Sequence, residues 1–368
     1  MQITINRKAL TGAWKTAAAA VPTKTPKDIL KSVKCEAAGG VITLTATDAE
    51  VTIRVKVAGT IAKEGACLLP ADRFGSVLQA AIGEDVSIST SETGVLIQCG
   101  RSKVALQTAK VDEYPVSSVE TQPVVTLPAK VLQSAVAFCM TCMDVAGSMR
   151  YAASGIYVGS KDGKLVIAAT DGKRLARQMT VPCEPFEGVV LPAAAAACLK
   201  SAGMADDAPV AVSVSGSAVA FNSPDVSLEC RVLEGRWPVS GLDFPDQGKV
   251  FSTSRIAAGI WCGLWNQVKA TLDQESMGAD CQFGESITLK HRGPAGESEA
   301  SAPCEFSGDP QSMQFAVDLV IPTSKVFDPI EILSVETATP MDNDAEFPVT
   351  FRAKSGDRTF LLMSMNVE

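Results

Sequence analysis

The sequence predicts an α+β fold built from three copies of one domain of about 120 residues. Three observations support this prediction. Within the first 244 residues, segments of the first half align in order with segments of the second half, and each copy combines short apolar strands with amphipathic helices. A chain of 368 residues also exceeds the size at which one hydrophobic core keeps growing. We therefore expect domains at residues 1–120, 121–244 and 245–368.

The internal repeat includes a Thr-Asp motif that occurs twice, as ATDAEVTI and as ATDGKRLA. Four pairs of segments match in the same order at an offset of 122 or 123 positions: 3–14 with 125–136, 41–53 with 164–176, 65–81 with 188–203, and 102–116 with 225–239. One such match could arise by chance, but four matches in register indicate a duplicated domain.

Within each copy the elements follow from the spacing of apolar residues. Apolar and polar residues alternate over 51–57, which predicts a half-buried strand. Pro70 precedes an apolar stripe that begins at Phe74 and has helical spacing, so we expect a helix there. The third copy is degenerate: 248–265 resembles the two openings and 286–292 resembles the strand before the motif, but Ala-Thr-Asp is missing.

Composition is typical of a soluble globular protein, with 46% apolar and 20% charged residues. The N-terminus lacks the apolar stretch of a signal peptide, and the longest apolar runs are too short to span a bilayer. We therefore expect a cytoplasmic protein with no membrane partner. The net charge of −8 means that binding to nucleic acid requires positive charge concentrated on one face.

The chain shows no pattern of an active site. Its eleven cysteines are scattered and odd in number, which favours buried thiols over a disulfide framework, and we expect CMTC at 139–142 to be a buried helical turn rather than a metal or redox site. The single histidine, His291, lies in a charged stretch that we expect to be a loop. We expect no metal and no cofactor. An enzyme that uses carboxylates in a cleft between domains is an alternative without a supporting motif.

ATDGKRLA and the terminal LLMSM, supported by GRSKVALQT, RYAASG and EGRWP, resemble the bacterial sliding clamp family, the β subunit of DNA polymerase III. That family carries ATDGHRLA and ends in a VMPMR-like sequence. The resemblance implies a DNA-clamp fold in a non-enzymatic, head-to-tail homodimeric ring, with helices lining the hole and antiparallel sheets outside. It also implies that the ring encircles double-stranded DNA without reading its sequence.

The resemblance assigns roles to individual residues. It places Lys24, Arg73, Arg150 and Tyr151 against DNA. Lys200 is the only charge of the segment PAAAAACLKSAG, so DNA contact is expected to be weak there. Short peptides of the polymerase III α subunit, the clamp loader, other polymerases and repair proteins are expected to bind one pocket through a leucine and an aromatic residue. The implied dimer interface contains Val104 and Leu106, and the implied pocket contains Ala153, Thr170, Gly172, Lys173, Arg174, Leu175, Pro238, Leu242, Met363, Ser364 and Met365.

Several residues depart from the family pattern at this pocket. Lys173 replaces a histidine, Ser364 a proline and Ala153 a leucine, while Leu242 lies near a family arginine. The expected pocket therefore has an altered peptide preference. Two functions stay open: a replicative clamp that confers processivity, and a divergent clamp paralogue with a role in repair or regulation. The two terminal methionines have the alternative role of packing in the core of a last strand.

Overall fold

The computed structural model describes residues 1–91, 94–115, 121–144, 154–235, 237–238, 242–243, 246, 248–273, 277–339 and 350–365. The chain divides into two compact units. The first contains residues 1–134 and 191–233, and the second contains residues 135–190 and 234–368. Residues of the expected second domain contribute to both units, and the division into three domains stays a prediction.

Helices and strands alternate along the chain in the order that the repeat predicts, and each expected opening is a strand that runs directly into a helix. In chain order the elements are β1 (Gln2–Asn6), α1 (Arg7–Ala18), β2 (Ser32–Ala38), β3 (Val41–Thr47), β4 (Val51–Val57), β5 (Thr60–Lys63), β6 (Gly65–Pro70), α2 (Ala71–Ala80), β7 (Asp85–Thr90), β8 (Gly94–Cys99), β9 (Ser102–Gln107), β10 (Gln122–Pro128), α3 (Ala129–Met140), β11 (Gly155–Lys161), β12 (Lys164–Thr170), β13 (Arg174–Pro182), β14 (Val189–Pro192), α4 (Ala193–Ser201), β15 (Pro209–Ser215), β16 (Ala218–Asn222), β17 (Val226–Arg231), β18 (Val250–Ala257), α5 (Ala258–Lys269), β19 (Gly278–Phe283), β20 (Ser286–Gly293), β21 (Gly296–Pro303), β22 (Glu305–Gly308), β23 (Gln311–Ala316), α6 (Val317–Ser324), β24 (Ile332–Ala338), β25 (Thr350–Ser355) and β26 (Arg358–Met363).

The first unit contains two antiparallel sheets. One has five strands in the order β5-β1-β7-β8-β9, and the other has eight strands in the order β10-β15-β16-β17-β4-β3-β2-β6. Asn6 caps α1 by accepting hydrogen bonds from the amides of Lys8 and Ala9. Helix α1 packs against β3, β4 and α2, with the rings of Trp14 and Phe74 4.4 Å apart. The predicted strand at 51–57 and the predicted helix after Pro70 are confirmed, because their apolar stripes face this core.

The second unit also contains two sheets. The larger has nine strands in the order β14-β11-β12-β13-β26-β25-β24-β18-β22, and β14 belongs to this unit only through its first two residues. The smaller has four strands in the order β21-β20-β19-β23. Helix α5 packs on α6. Its tryptophans, Trp261 and Trp265, pack with Phe351 into an aromatic cluster that extends to Phe315 and Phe360. Burial of these large rings supplies much of the apolar area of this core.

The expectation that His291 lies in a loop is wrong. It lies in β20, within the β20–β21 hairpin, and its side chain is buried with Nδ1 2.8 Å from the carbonyl oxygen of Gly278. Its neighbours Lys290 and Arg292 point outward and pair with glutamates of β21. The inward positions of β21 hold alanines rather than large apolar residues, so the alternation that marks a strand was weak in the sequence.

The same antiparallel joint between two strands occurs once in each unit. In the first unit β4 pairs with β17, and in the second β13 pairs with β26. The registers are equivalent: Val51 lies opposite Cys230 and Val55 opposite Val226 in the first joint, and Arg174 opposite Leu362 and Gln178 opposite Arg358 in the second. One further backbone hydrogen bond lies at each end of each joint. In the first joint, Arg231 N–H donates to Glu50 O and Lys56 N–H donates to Asp225 O. In the second, Met363 N–H donates to Lys173 O and Met179 N–H donates to Asp357 O.

Candidate functional site

The first Ala-Thr-Asp motif forms a side-chain-stabilised turn between β3 and β4. The Thr47 hydroxyl donates to the carbonyl of Val51 at 2.7 Å and accepts from the amide of Ala49 at 3.0 Å. Asp48 Oδ1 accepts from the amides of Glu50 and Val51 at 2.9 and 2.7 Å. Ala49 has φ of 84°, in the left-handed region that side chains disfavour. Thr and Asp suit this turn because their short side chains reach nearby backbone groups.

The second motif, between β12 and β13, repeats this turn bond for bond. The Thr170 hydroxyl donates to Arg174 O at 2.7 Å and accepts from the Gly172 amide, while Asp171 Oδ1 accepts from the amides of Lys173 and Arg174 at 3.0 Å each. Gly172 has φ of 85°. The local role that the sequence predicts for Ala-Thr-Asp, side chains bonded to neighbouring backbone, is confirmed in both copies.

Arg174 distinguishes the second turn from the first, where Val51 takes the equivalent position. Its Nε donates to Asp171 Oδ2 at 2.8 Å, and its Nη1 donates to the carbonyl of Leu319 in α6 at 2.7 Å. Both ionic side chains are less than a fifth exposed, so solvent screens the pair only partly. This hydrogen bond connects the turn to α6, which lies nearly 150 residues later in the chain.

The end of β26 lies beside the second turn. Met363 N–H donates to Lys173 O at 3.0 Å, and Leu175 pairs with Leu361 across the joint. Met365, which follows Ser364, donates its amide to Gln314 O at 2.8 Å and is 37% exposed. Partial exposure of both methionines argues against core packing as their role. The structure thus brings together the following expected pocket residues: Thr170, Gly172, Lys173, Arg174, Leu175, Met363, Ser364 and Met365.

Leu242, another expected pocket residue, accepts a hydrogen bond from a buried arginine that no sequence pattern indicated. Arg177 Nη1 donates to Leu242 O at 2.6 Å, and the guanidinium also forms a two-bond ion pair with Asp246. These hydrogen bonds lower the pKa of the Asp246 carboxyl below its ordinary value. Lys161 pairs with Asp243 next to Leu242. Strand β13 also contains Arg174 and Gln178, so no local pattern distinguished Arg177 as the buried charge.

Pro238 follows a tryptophan that anchors the same segment. The ring of Trp237 stacks on that of Tyr157 with centroids 5.5 Å apart. Gly159 and Gly188 lie against the Tyr157 ring so closely that a Cβ at either position would stand 2.3 or 2.2 Å from its hydroxyl oxygen. Burial raises the pKa of Tyr157. The expected residue Ala153 lies outside the described residues.

The expected DNA-contacting residues of the first unit are exposed cations. Lys24 lies in the loop after α1 and Arg73 lies on α2, and neither forms an ion pair within the part of the chain that the structure describes. Helix α4 exposes alanines and Lys200, its only charge. Arg150 and Tyr151 lie outside the described residues.

Val104 and Leu106 lie on β9, the end strand of the five-stranded sheet, and both are partly exposed. Strand β21 is likewise an end strand, of the four-stranded sheet. Neither β9 nor β21 pairs with a described strand along its outer edge. Each therefore presents unpaired backbone groups to a further strand.

Most of the cysteines that the structure describes are buried. Eight of the eleven cysteines are buried, in accord with the predicted buried thiols. In CMTC, Cys139 donates to Ile167 O, and burial raises the pKa of Cys142 to about 11. Among the described residues no group of His, Cys, Asp and Glu could hold a metal ion. No helix within the described ranges is long and apolar enough to cross a membrane.

Comparison with known proteins gives the same fold over the whole chain. A sliding clamp (DNA polymerase III subunit beta) from Pseudomonas aeruginosa, bound to griselimycin, superposes with a TM-score of 0.87 at 19% identity, and the match covers 100% of both chains. The beta subunit from the DNA polymerase of Streptococcus pyogenes gives 0.85 at 22% identity, again over 100% of both chains. The α+β clamp fold that the sequence predicted is confirmed.

Sequence comparison gives the family. The Beta sliding clamp of Staphylococcus aureus is 25% identical over 262 residues, which cover 68% of this chain and 69% of that protein. Residues 1–118 match the family model described as DNA polymerase III beta subunit, N-terminal domain, and residues 126–239 match the one described as its central domain. These two models together match more than half of the sequence, and the chain belongs to the DNA polymerase III beta subunit family.

Proposed function

We propose that this protein is a β sliding clamp: a homodimeric ring that encircles duplex DNA and tethers the replicative polymerase and other partners. The ring contains three clamp domains per chain, at 1–120, 121–244 and 245–368. It is a processivity factor without an active site, acts in the cytoplasm, and needs no cofactor. Its contribution is topological, because a closed ring stays on DNA without gripping it.

One observation carries this proposal. The chain forms the same strand-to-strand joint twice, and two further strands that are equivalent to the members of these joints have no described partner along their outer edges. Strand β9 is the third strand of the series β7-β8-β9, so it is equivalent to β17 in the series β15-β16-β17. Likewise β21 in the series β19-β20-β21 is equivalent to β4 in the series β2-β3-β4. The outer edges of β9 and β21 are therefore the two halves of a further joint. Joining β9 of one copy to β21 of another twice closes a head-to-tail dimer.

The register of this third joint follows from the other two. Aligning the inward-facing residues places Leu106 opposite Gly296 and Val104 opposite Ser298 of the second copy. On the outward face, Lys103 then lies directly opposite Glu299. Opposite charges at directly paired positions contribute roughly 0.2–1 kcal/mol, and like charges destabilise by similar amounts. The register thus predicts that Glu299, which pairs with Lys290 of its own hairpin, also pairs with Lys103 across the dimer interface.

A charge exchange tests the dimer and its register. We expect Lys103→Glu or Glu299→Lys to weaken each joint by about 0.5–2 kcal/mol and to raise the dimer Kd at least about fivefold, because the ring has two such joints. The double variant should restore the Kd to near the wild-type value in sedimentation equilibrium. Lys63→Glu, on the end strand at the other side of the same sheet, is the matched control. A double variant weaker than either single one would refute the register.

Retention on DNA tests the ring itself. We propose that Lys24 and Arg73 face DNA, joined by Arg150 and Tyr151, and that positive charge confined to the lining lets an acidic chain slide. Protein loaded on a nicked circular plasmid should stay bound through gel filtration and should be lost once the plasmid is linearised. Equal loss from circular and linear DNA would refute encirclement.

We further propose that the second Thr-Asp turn and the end of β26 form the peptide pocket for the polymerase III α subunit, the clamp loader and repair proteins. Partly exposed methionines suit a site that accepts many partners, because their side chains adapt in shape. The near absence of charge on α4 favours one alternative, a divergent paralogue with a repair or regulatory role. Primer-extension length with the replicative polymerase and a clamp loader separates the two, since only a replicative clamp lengthens the products.

A further inference from the structure

A corner that occurs in all three copies of the repeat carries three large apolar residues only in the third. In each copy the residue before the first helix pairs with the first residue of a later strand: Asn6 with Asp85, Pro128 with Pro209, and Ala257 with Ile332. Three positions at this corner can be compared between the copies. The third residue of the helix is Ala9, Val131 or Ile260. The first residue of the later strand is Asp85, Pro209 or Ile332, and the residue two positions before that strand residue is Gly83, Asp207 or Ile330.

The three isoleucines are unusually exposed for their size. Ile260 is 49%, Ile332 50% and Ile330 85% exposed. Ile260 and Ile332 line a groove of about 330 Å³, together with Ile256 and Pro303. We call this site the isoleucine groove. Its volume falls in the range of sites that hold a small molecule or a few side chains. Scattered exposed apolar residues are ordinary, but two half-exposed isoleucines that line one groove, with the exposed Ile330 two residues before Ile332, indicate a binding surface.

The rim of the groove carries more acidic than basic residues. Glu305 lines it, and the backbone carbonyl of Glu285 accepts from the amide of the lining residue Cys304. Glu331, whose carboxylate accepts from the Ser355 hydroxyl and the Asp328 amide, precedes Ile332. Asp328 holds the adjoining loop by accepting from the Ile330 amide. The cation of the groove, Arg255, is already paired with Glu305 at 3.3 Å. This charge disfavours DNA, and it disfavours a second copy of a chain whose net charge is −8.

We propose that the isoleucine groove docks a basic peptide segment of a partner protein, with two apolar side chains of the peptide packed between Ile260 and Ile332. Lysines or arginines that flank these anchors meet the acidic rim. Apolar anchors supply the affinity, and complementary charge selects the partner. The inference is independent of the proposed clamp function, because it depends only on the residues of this corner.

The groove is accessible even if β21 acquires a neighbour. In the first unit the edge of β4 is covered by β17, yet Ala58, Gly59 and Thr60, which follow β4 at the equivalent corner, remain exposed. Asp85 is exposed there as well. A strand added to β21 in the same register therefore leaves the isoleucine groove uncovered.

Selection from a phage library of random dodecapeptides on the full-length protein tests the proposal. Each selected peptide is then assayed against Ile260→Glu/Ile332→Glu, which should fold normally because both side chains are half exposed. Val41→Glu, at an exposed aliphatic residue of the first unit, is the matched control, and Met365→Ala identifies peptides that use the expected pocket instead. Unchanged thermal unfolding of each variant confirms that it is folded.

We expect a class of peptides whose affinity falls at least about tenfold in the isoleucine double variant and is unchanged by Val41→Glu and by Met365→Ala. These peptides should carry two apolar residues and a net positive charge. Glu305→Lys/Asp328→Lys should weaken them about three- to tenfold. Finding no peptide that depends on the two isoleucines, or finding that the dependent peptides are acidic, would overturn the proposal.

Discussion

Replacing the aspartate of each Thr-Asp turn by asparagine separates the structural role of the turn from a role in the pocket. Asparagine retains Oδ1 and still accepts the two amide bonds that Asp48 and Asp171 each accept. Asp48→Asn should therefore change the free energy of unfolding by less than about 0.5 kcal/mol. Asp171→Asn preserves the same turn but removes the charge that pairs with Arg174. The first turn is thus a control for the second within one chain.

The magnitude follows from the burial of this pair. Side-chain exposure is 12% for Arg174 and 17% for Asp171, so the ion pair is only weakly screened. A hydrogen bond to a charged group contributes about 1.5–3 kcal/mol, against about 1 kcal/mol for a neutral one. We expect Asp171→Asn to destabilise the second unit by about 1–2 kcal/mol. If the released Arg174 must be ordered again when a peptide binds, the affinity falls by up to about five- to thirtyfold.

Two assays measure these effects. Trp14 lies in the first unit and Trp237, Trp261 and Trp265 lie in the second, so urea unfolding followed by tryptophan fluorescence contains a signal from each unit. Anisotropy of a labelled peptide that carries a leucine and a phenylalanine reports on the pocket. Equal behaviour of Asp48→Asn and Asp171→Asn in both assays would show that Arg174 contributes nothing beyond the turn.

Two further predictions concern backbone strain and a buried charge. Ala49→Gly should stabilise the first unit by about 0.5–1 kcal/mol in thermal unfolding, because removing the strain of an alanine in the left-handed region outweighs the conformational entropy cost of glycine. Ala38→Gly, at a residue without positive φ, should destabilise the same unit in the same assay. Asp246→Asn should cost about 0.5–2 kcal/mol at pH 7, since it leaves the buried Arg177 guanidinium without its carboxylate, although solvent partly screens the half-exposed Asp246. The pKa of Asp246 is lowered in the folded state, so the stability difference between the variant and the wild type should persist above the ordinary aspartate pKa. It should disappear as the pH falls through the lowered value. A stability difference that grows on acidification, measured by urea unfolding, would contradict this prediction.

The sequence was informative where chemistry repeats at short range. The strand at 51–57, the helix after Pro70 and both Thr-Asp turns depend on neighbours within a few residues, so periodicity and side-chain reach were enough to predict them. The pairing of Arg177 with Asp246 joins residues 69 positions apart and has no local pattern. The similarity of 286–292 to the strand before the first motif indicated the strand that contains His291, whereas its partner β21 had no clear pattern because it buries alanines.

The pocket was predicted by resemblance, and the structure changes how it can be tested. Leu175 and Leu242 are 4% and 3% exposed, so neither offers a free surface to a peptide. Truncating Leu175 removes buried contacts and costs about 2–5 kcal/mol of stability, which confuses a binding assay. Met365 is the better site for substitution, because it is exposed and its loss leaves the core intact.

The Thr-Asp motif occurs twice because the chain makes two internal joints. In each turn the carbonyl of the residue after the left-handed position, Glu50 or Lys173, accepts a backbone bond from the strand that joins next. The turn thus extends the joint by one hydrogen bond beyond the strand itself. The third hairpin has no such turn: Gly293 pairs directly with Gly296, and its edge meets no described strand. If the third joint forms between copies, as we propose, it lacks this bond, and the ring should open there before either internal joint separates.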